Sequence, residues 1–332
     1  MPKQYSNYSN KTVSVTVIIV NWNCGAVLSK CLDHLLNQTV PPARILIMDN
    51  GSSDDSLQGI PQKDQIDIQL LGTNLGFAGA NNRALALCDT DYIALLNPDA
   101  FPNPDWVERL LAAADSYPDV AAFASLQLCD DSPEFVDGAG DSYHISGQVW
   151  RDQYGARLAS INLINKVIFS PCAAAALYRR QALSEVGGFD EDFFCYVEDV
   201  DLGFRLRLAG HQSLLVHDAI VSHVGSAATG GQHSDFSVYH GHRNVVWAYV
   251  KNMPGILFWL LLPLHVLVNI ATILYFSLAG QNRVILSAKV DALKGLPKMW
   301  RKRRIIQNKR VASLYEIWQV LDKHLLPLPW IK

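Results

Sequence analysis

The hydrophobic pattern changes period along the chain, and each change marks an element. Ser14 to Asn21 is a nearly continuous β-branched run, as expected of a strand buried on both faces of a parallel sheet. From Ala26 to Gln38 the apolar residues Val27, Cys31, Leu32, Leu35 and Leu36 fall at helical spacing. Arg44 to Met48 predicts a second strand ending in Asp49, and Ile66 to Leu71 a third. A helix is expected from about Gly79 to Leu87, a fourth strand from Tyr92 to Leu96, and a helix from Pro104 to Ser116. Asp130 to Asn165, rich in Gly, Asp, Ser and Asn, reads as loops over a pocket. Order returns at Ala173 to Tyr178, followed by a helix from Gln181 to Glu185 closed by Gly187-Gly188. Val200 to Leu208 reads as a helix capped by Gly210, and Leu214 to Val216 and Ala219 to Val221 as short strands.

Strands alternating with helices at this spacing predict an α/β fold with a doubly wound, mostly parallel sheet. Ligands of such sheets bind outside the carboxyl ends of the strands. The polar residues of the first half fall at those ends: Asn21 and Asn23, Asp49 and Asn50, Asn97 and Asp99. A single pocket follows.

Composition narrows the classes. Twenty-eight Lys and Arg stand against 31 Asp and Glu, so no nucleic-acid partner is expected. Six scattered cysteines without a C-x-x-C pair fit a reducing compartment. Met1 to Lys11 is polar and lacks the apolar core of a secretory signal, which points to the cytoplasm. Gly255 to Leu278 is uncharged and long enough to cross a bilayer. Ten basic residues follow it between Arg283 and Arg310, and a single crossing would put them on the wrong side for the positive-inside tendency. Pro263, His265 and Asn269 also weaken a plain spanning helix. A re-entrant or interfacial segment, with basic helices on an anionic membrane surface, is therefore expected.

Several segments offer chemistry. Asp99 in Asn97-Pro98-Asp99 ends an apolar strand, where a carboxylate can hold Mn²⁺ or Mg²⁺; the same step also suits a turn. Asp49 can accept hydrogen bonds from a base or ribose, while Ser52 or Ser53 caps a helix. In NLGFAGANN, small residues before a helix would let backbone approach a phosphate or sugar. Neither a G-x-G-x-x-G nor a P-loop is present, which disfavours dinucleotide binding and ATPase chemistry. Glu198, Asp199 and Asp201 open a helix, where acids offset its dipole; Asp201 can pair with Arg205. Beside Phe189, Phe193, Phe194 and Tyr196, such a carboxylate can also serve as a general base. His223 leads into a small-residue loop and can either complete a metal site or be satisfied locally. Arg243 can clamp a phosphate of donor or acceptor.

In this order VIIVNWN, ILIMDNGSSDDS, NLGFAGANN, ALLNPDA, GGFDEDFFCYVEDVDLGFRLRLAG, SHVGSA and RNVVWAYVKN resemble the family 2 glycosyltransferases of the GT-A fold. The rhamnosyltransferase-like branch of bacterial polysaccharide synthesis is most similar. The resemblance implies that Val20, Asn21 and Asn23 line a nucleotide pocket and that Asp49 contacts the base. Asn74, Gly76, Phe77, Gly79 and Asn82 would lie along the nucleotide-sugar, with Asn97 at the ribose. It further implies Asp99 and His223 as metal ligands, and Asp199, rather than Glu198, as catalytic base. The organisation it suggests is a polar tail (1–12), a GT-A domain (13–252, divided at 128/129 into nucleotide-sugar and acceptor halves) and a membrane-associated helical region (253–332). The expected reaction is metal-dependent, inverting transfer from a nucleotide-diphosphate sugar, with dTDP-rhamnose the first expectation, to a saccharide or polyprenyl-diphosphate-linked acceptor. Its place would be the cytoplasmic face of the inner membrane. Another hexose, an N-acetylhexosamine or galactofuranose as donor sugar, or a silent nucleotide-sugar-binding scaffold, are the alternatives.

Overall fold

The computed structural model describes residues 13–225 and 233–324. The polar tail (1–12) and the last two residues of SHVGSA lie outside the described residues. The first half alternates as its pattern predicts: β1 (Val15–Asn21), α1 (Val27–Leu36), β2 (Arg44–Asp49), β3 (Ile66–Leu70), α2 (Gly76–Leu85) and β4 (Tyr92–Leu96). There follow β5 (Ala100–Pro102), α3 (Trp106–Ser116) and β6 (Val120–Cys129), then the short strands β7 (Val136–Gly138), β8 (Asp141–Tyr143), β9 (Val149–Arg151) and β10 (Lys166–Ile168). The second half holds β11 (Ala175–Arg179), α4 (Arg180–Val186), α5 (Glu198–Leu208) and β12 (Gln212–His223). Four helices close the chain: α6 (Asp235–Asn252), α7 (Gly255–Leu278), α8 (Asn282–Asn308) and α9 (Leu314–Val320).

Eight of these strands form one path in the order β10-β12-β6-β11-β4-β1-β2-β3, with β5 on β12 and β7 on β6. β3, β2, β1 and β4 run parallel, whereas β11 enters antiparallel between β4 and β6. The sheet is therefore mixed and mostly parallel, with helices against it. Register places Asn21 opposite Asp49, so the polar ends of β1 and β2 are neighbours. β5 lays Ala100 opposite His223 of β12, which carries Asp99 to the end of a strand far along the chain.

Several elements differ from the sequence expectation. β6 (VAAFASLQLC) is a continuous small-residue apolar run without alternation, so periodicity alone does not announce it. Leu214–Val216 and Ala219–Val221 belong to one strand, β12, whose pairing with β6 slips between Val216 and Ile220. The stretch read as loops contains the β8–β9 hairpin, with Asp141 opposite Arg151. α2 and α5 also begin earlier than expected, α5 at Glu198, so both members of the Glu-Asp pair sit in its first turn.

The cores are layered on either side of the sheet. One contains Val17, Ile19, Leu32, Ile47, Trp106 and Phe123; another joins Ile18, Leu46, Tyr178 and Leu206. A further core joins α5 and the segment before β11 to the C-terminal helices through Phe169, Phe204, Trp247, Tyr249, Met299 and Ile317. α6 and α8 approach closely because Gly295 faces Trp247, where an added Cβ would lie 2.6 Å from the indole.

Candidate active site

The ends of β1 and β2, expected to meet a nucleotide, form a polar network with the start of α2. Asn21 is fully buried and shares its amide hydrogens among Asp49 Oδ1 (2.9 Å), Ser52 Oγ (3.1 Å) and Ser56 Oγ (2.8 Å). Asp49 Oδ2 accepts the Ser52 N–H at 3.2 Å. Asn23, in the left-handed region, accepts the Ser53 N–H at 2.8 Å. Asn50 donates to Asn74 Oδ1 (2.9 Å), which also accepts the Gly76 N–H. Val20 packs partly buried beside Met48 and Ala78. The expected residues of β1 and β2 thus meet at one sheet end, Asn21 as a brace for Asp49.

The NLGFAGANN segment packs against the loop 188–197. Gly76 has φ +73°, and a Cβ there would lie 2.7 Å from Phe194 Cγ. The Ala78 N–H donates to the Phe194 carbonyl, so the first turn of α2 is covered by protein. Gly79 faces its own helix at Leu75, and Phe77 meets the Phe189 ring edge-on. Asn82 donates to Phe189 O and Glu191 Oε1 and accepts the Phe189 N–H. Gly76 thus makes room for Phe194, and Asn82 fastens the loop.

The second cluster surrounds His223. Its Nδ1 lies 2.7 Å from Asp137 Oδ2, and Arg151 Nη1 also bonds that carboxylate. Its Nε2 is buried, makes no hydrogen bond and faces Asp99 Oδ1 at 3.4 Å. A histidine held on one nitrogen by a carboxylate, with the other aimed at a second carboxylate, is the arrangement of a metal-ligating imidazole and its supporting acid. Burial works against charge on His223, yet Asp137 and Asp99 raise its pKa above the ordinary value. Burial likewise disfavours Asp137 ionisation, but His223 and Arg151 hold its carboxyl below the usual range. The place between Asp99 and His223 thus favours positive charge. Asn97 stands at the start of this turn, its N–H on Ala174 O.

The third cluster surrounds Asp199. Ligand atoms of Asp199, Asp141 and Cys172 lie within 4.8 Å of one another. Arg151 joins the two carboxylate clusters: it bonds Asp137 and interacts electrostatically with Asp141, Cys172 and Asp199. Burial and the neighbouring Asp199 push Asp141 well above the carboxylate range, and its Oδ2 is buried without a hydrogen bond. Glu198 is pushed up for the same reasons, and its Oε2 is equally unpartnered. Burial also raises Asp199, but the N–H groups of Ala173 (3.1 Å) and Val200 (2.8 Å) stabilise its anion. Of the three carboxyls, Asp199 accepts from the N–H groups of two other residues, whereas the N–H that favours ionisation of Glu198 is its own. Burial lifts the Cys172 thiol to about 12, so with no cation beside it the thiol stays protonated.

The loop leading to Asp199 is held under tension. Phe194, Tyr196 and Val197 all have φ between 64° and 67°, costly for residues with a Cβ. Buried Asn244 holds it by donating to the carbonyls of Phe193, Cys195 and Tyr196 at 2.8–3.0 Å. Arg243 donates through Nη2 to Asp192 O and Phe193 O and through Nε to Asn244, with its guanidinium 4.3 Å from the Trp247 ring. Arg243 thereby fastens the loop. Lys298 and Lys302 of α8 bond Asp192, and Lys302 also bonds Asp190. Asp201 pairs with Arg205 at 2.9 Å as expected, and also with Lys251.

Sequence reasoning missed Asp137, Asp141, Arg151 and Asn244. The first three lie in the stretch read as loops, and the only advance signal was two aspartates flanking Gly138-Ala139-Gly140.

The Glycosyl transferase family 2 model matches residues 16–187, just over half of the chain. The protein belongs to glycosyl transferase family 2. It is 31% identical over 237 residues to the N-acetylglucosaminyl-diphospho-decaprenol L-rhamnosyltransferase of Mycobacterium tuberculosis, covering 64% of this chain and 77% of that one. It is 26% identical over 215 residues to the O-antigen chain rhamnosyltransferase RfbN of Salmonella typhimurium, covering 64% and 66%. Among solved structures, the mannosyltransferase of Pyrobaculum calidifontis in complex with GDP-Man and Mn²⁺ superposes with TM-score 0.53 at 14% identity, over 92% of this chain and 87% of that one. The fold is GT-A, and the family member is a glycosyltransferase.

Proposed function

We propose that the protein is an inverting transferase that moves a sugar, rhamnose from dTDP-rhamnose in the best-supported case, onto a saccharide carried by a polyprenyl diphosphate. The observation that carries the mechanism is Asp199: it has the N–H groups of Ala173 and Val200 on its carboxylate, while its carboxyl neighbours Asp141 and Glu198 are each left with a buried oxygen that has no hydrogen bond. Asp199 takes the proton from an acceptor hydroxyl as that oxygen attacks the anomeric carbon opposite the leaving diphosphate. One displacement inverts the centre.

Asp49 and Asn23 serve the nucleoside at the ends of β1 and β2, with Asn21 and Ser52 fixing Asp49. Asn97 lies beside the ribose. Asp99 and His223 would hold Mn²⁺ or Mg²⁺, which supplies positive charge for the departing diphosphate. The buried, unbonded Nε2 of His223 facing Asp99 supports that assignment. Rhamnose and the polyprenyl carrier are supported by the names of the two relatives, and the cytoplasmic membrane face is where such a carrier would be met. The test is transfer by purified protein from a panel of nucleotide sugars, with Mn²⁺ or Mg²⁺ and with excess chelator. Transfer from dTDP-rhamnose that stops in chelator and inverts the anomeric centre is expected. Full activity in chelator would remove the metal, and transfer from another donor alone would remove rhamnose.

A further inference from the structure

α7 is built inside out for a helix in water. Its buried stripe runs Leu257, Leu261, His265, Val268, Thr272 and Phe276 and carries the polar groups; Leu261 alone is half-exposed. His265 lies over the Tyr249 ring at 4.0 Å with Nδ1 on Ser146 O at 2.7 Å, and Asn269 accepts from Lys289 of α8. The opposite stripe is apolar from end to end and open: Ile256, Trp259, Leu260, Leu267, Ile270 and Leu274 are each at least half exposed. α7 contains no charged residue over its 24 residues. In a water-facing helix the polar groups would lie outward.

Two further observations say what covers that face. First, α7 is packed along its whole length, from Leu257 to Phe276, against the rest of the protein. A helix standing upright across a bilayer would have to give up the His265 and Asn269 contacts or drag Lys289 into hydrocarbon. Second, the charge around it has one sign. From residue 253 on the sequence has 12 Lys and Arg against three acids, whereas the preceding 252 residues have 16 against 28. α8 packs on α7 and exposes Leu286, Val290 and Leu293, then, on the same helical stripe, Arg301 and Arg304. A basic rim of this kind repels a second copy of itself and attracts anionic headgroups.

We propose that α7 lies flat in the interface of an anionic bilayer, apolar stripe down, with Arg283, Arg301 and Arg304 on the headgroups. It does not span. The docking is independent of which sugar is transferred. It also has a link to the site, because α8 carries Lys298 and Lys302, which bond Asp192 and Asp190 in the loop before Asp199. The membrane-seated layer is thereby a wall of the catalytic centre.

The experiment is flotation of the full chain with vesicles of phosphatidylcholine alone or with 30% phosphatidylglycerol. Wild type should float with the anionic vesicles at least about tenfold better than with the neutral ones. Trp259→Glu with Leu267→Glu should lose flotation on both, and Arg301→Glu with Arg304→Glu should lose only the anionic preference. The altered side chains are exposed, so unchanged thermal unfolding is the control for folding. An NBD-labelled residue at position 260 or 274, about 21 Å apart along the helix, should be quenched by brominated lipids at one shared shallow depth. Depths differing by most of that distance would overturn the flat orientation. No flotation of wild type, flotation indifferent to Trp259 and Leu267, or a dimer that those substitutions break without any vesicle binding would overturn the docking itself. Transfer to a water-soluble acceptor should persist in the Trp259/Leu267 variant, so loss of docking and loss of the transferase reading give different results.

Discussion

Two buried carboxylate clusters sit on either side of Arg151, and they are tuned in opposite directions. Around His223, Asp137 is held ionised by its imidazole and guanidinium partners, and the imidazole is drawn toward the charged form. Around Asp199, burial among other carboxyls pushes Asp141 and Glu198 to neutrality. Similar residues in similar burial therefore acquire different chemistry from their partners alone. The first cluster is suited to hold a cation, the second to handle a proton.

The largest effect should come from the proton side. Asp199→Asn keeps shape and removes the base, so transfer should fall by roughly 10³-fold or more while donor binding, read by calorimetry, stays within a few-fold. Near-normal turnover would take Asp199 out of the mechanism. Asp99→Asn removes charge from the cation side; a loss of about 100-fold in transfer is expected, with weaker Mn²⁺ binding measured directly. If Asp99→Asn abolished acceptor deprotonation but left metal affinity intact, the two clusters would have been assigned the wrong way round.

The contrast also shows what a sequence can and cannot tell. β1, β2 and β4 were legible because β-branched runs ending in Asn or Asp carry both the strand and its polar end in one short segment. Asp99, His223 and Asp199 were singled out by the ordered motifs, and the structure places Asp99 beside His223 and Asp199 in a carboxyl cluster. Asp137, Asp141 and Arg151 were not: they lie on β7, β8 and β9, three-residue strands too short to show alternation. The contacts of Gly76 with Phe194 were not legible, because a glycine makes room equally well for a phosphate or for a carbonyl. Those of Arg243 were not legible either, since a guanidinium fits backbone carbonyls as well as phosphate. Only tertiary contacts distinguish these cases. The open apolar stripe of α7 was hidden by its composition, which is apolar on both faces, and became visible once packing showed which side was covered.

A smaller effect separates support from ligation. Asp137 touches His223, not Asp99, so Asp137→Asn should weaken metal affinity by about 10- to 100-fold and leave saturating-metal turnover nearly unchanged. A loss that excess Mn²⁺ fails to restore would mean that Asp137 does more than orient the ring.

The finest discrimination is at Asp141. Its buried Oδ2 has no hydrogen bond, and burial with the neighbouring Asp199 favours its neutral acid, against the pull of Arg151. A neutral acid can offer a proton toward the anion of Asp199, and an amide N–H can do the same. Asp141→Asn should therefore stay within about tenfold of wild type, whereas Asp141→Leu removes the donor and leaves Asp199 in a more apolar setting. The base acts only when ionised, and its pKa already stands above the usual carboxylate value, so activity falls as pH drops through it. In Asp141→Leu that acidic limb of kcat/KM should move to higher pH, while Asp141→Asn should leave it nearly in place. An Asn variant as inactive as Asp199→Asn would show instead that Asp141 works as an anion, and the opposition between the two clusters would dissolve.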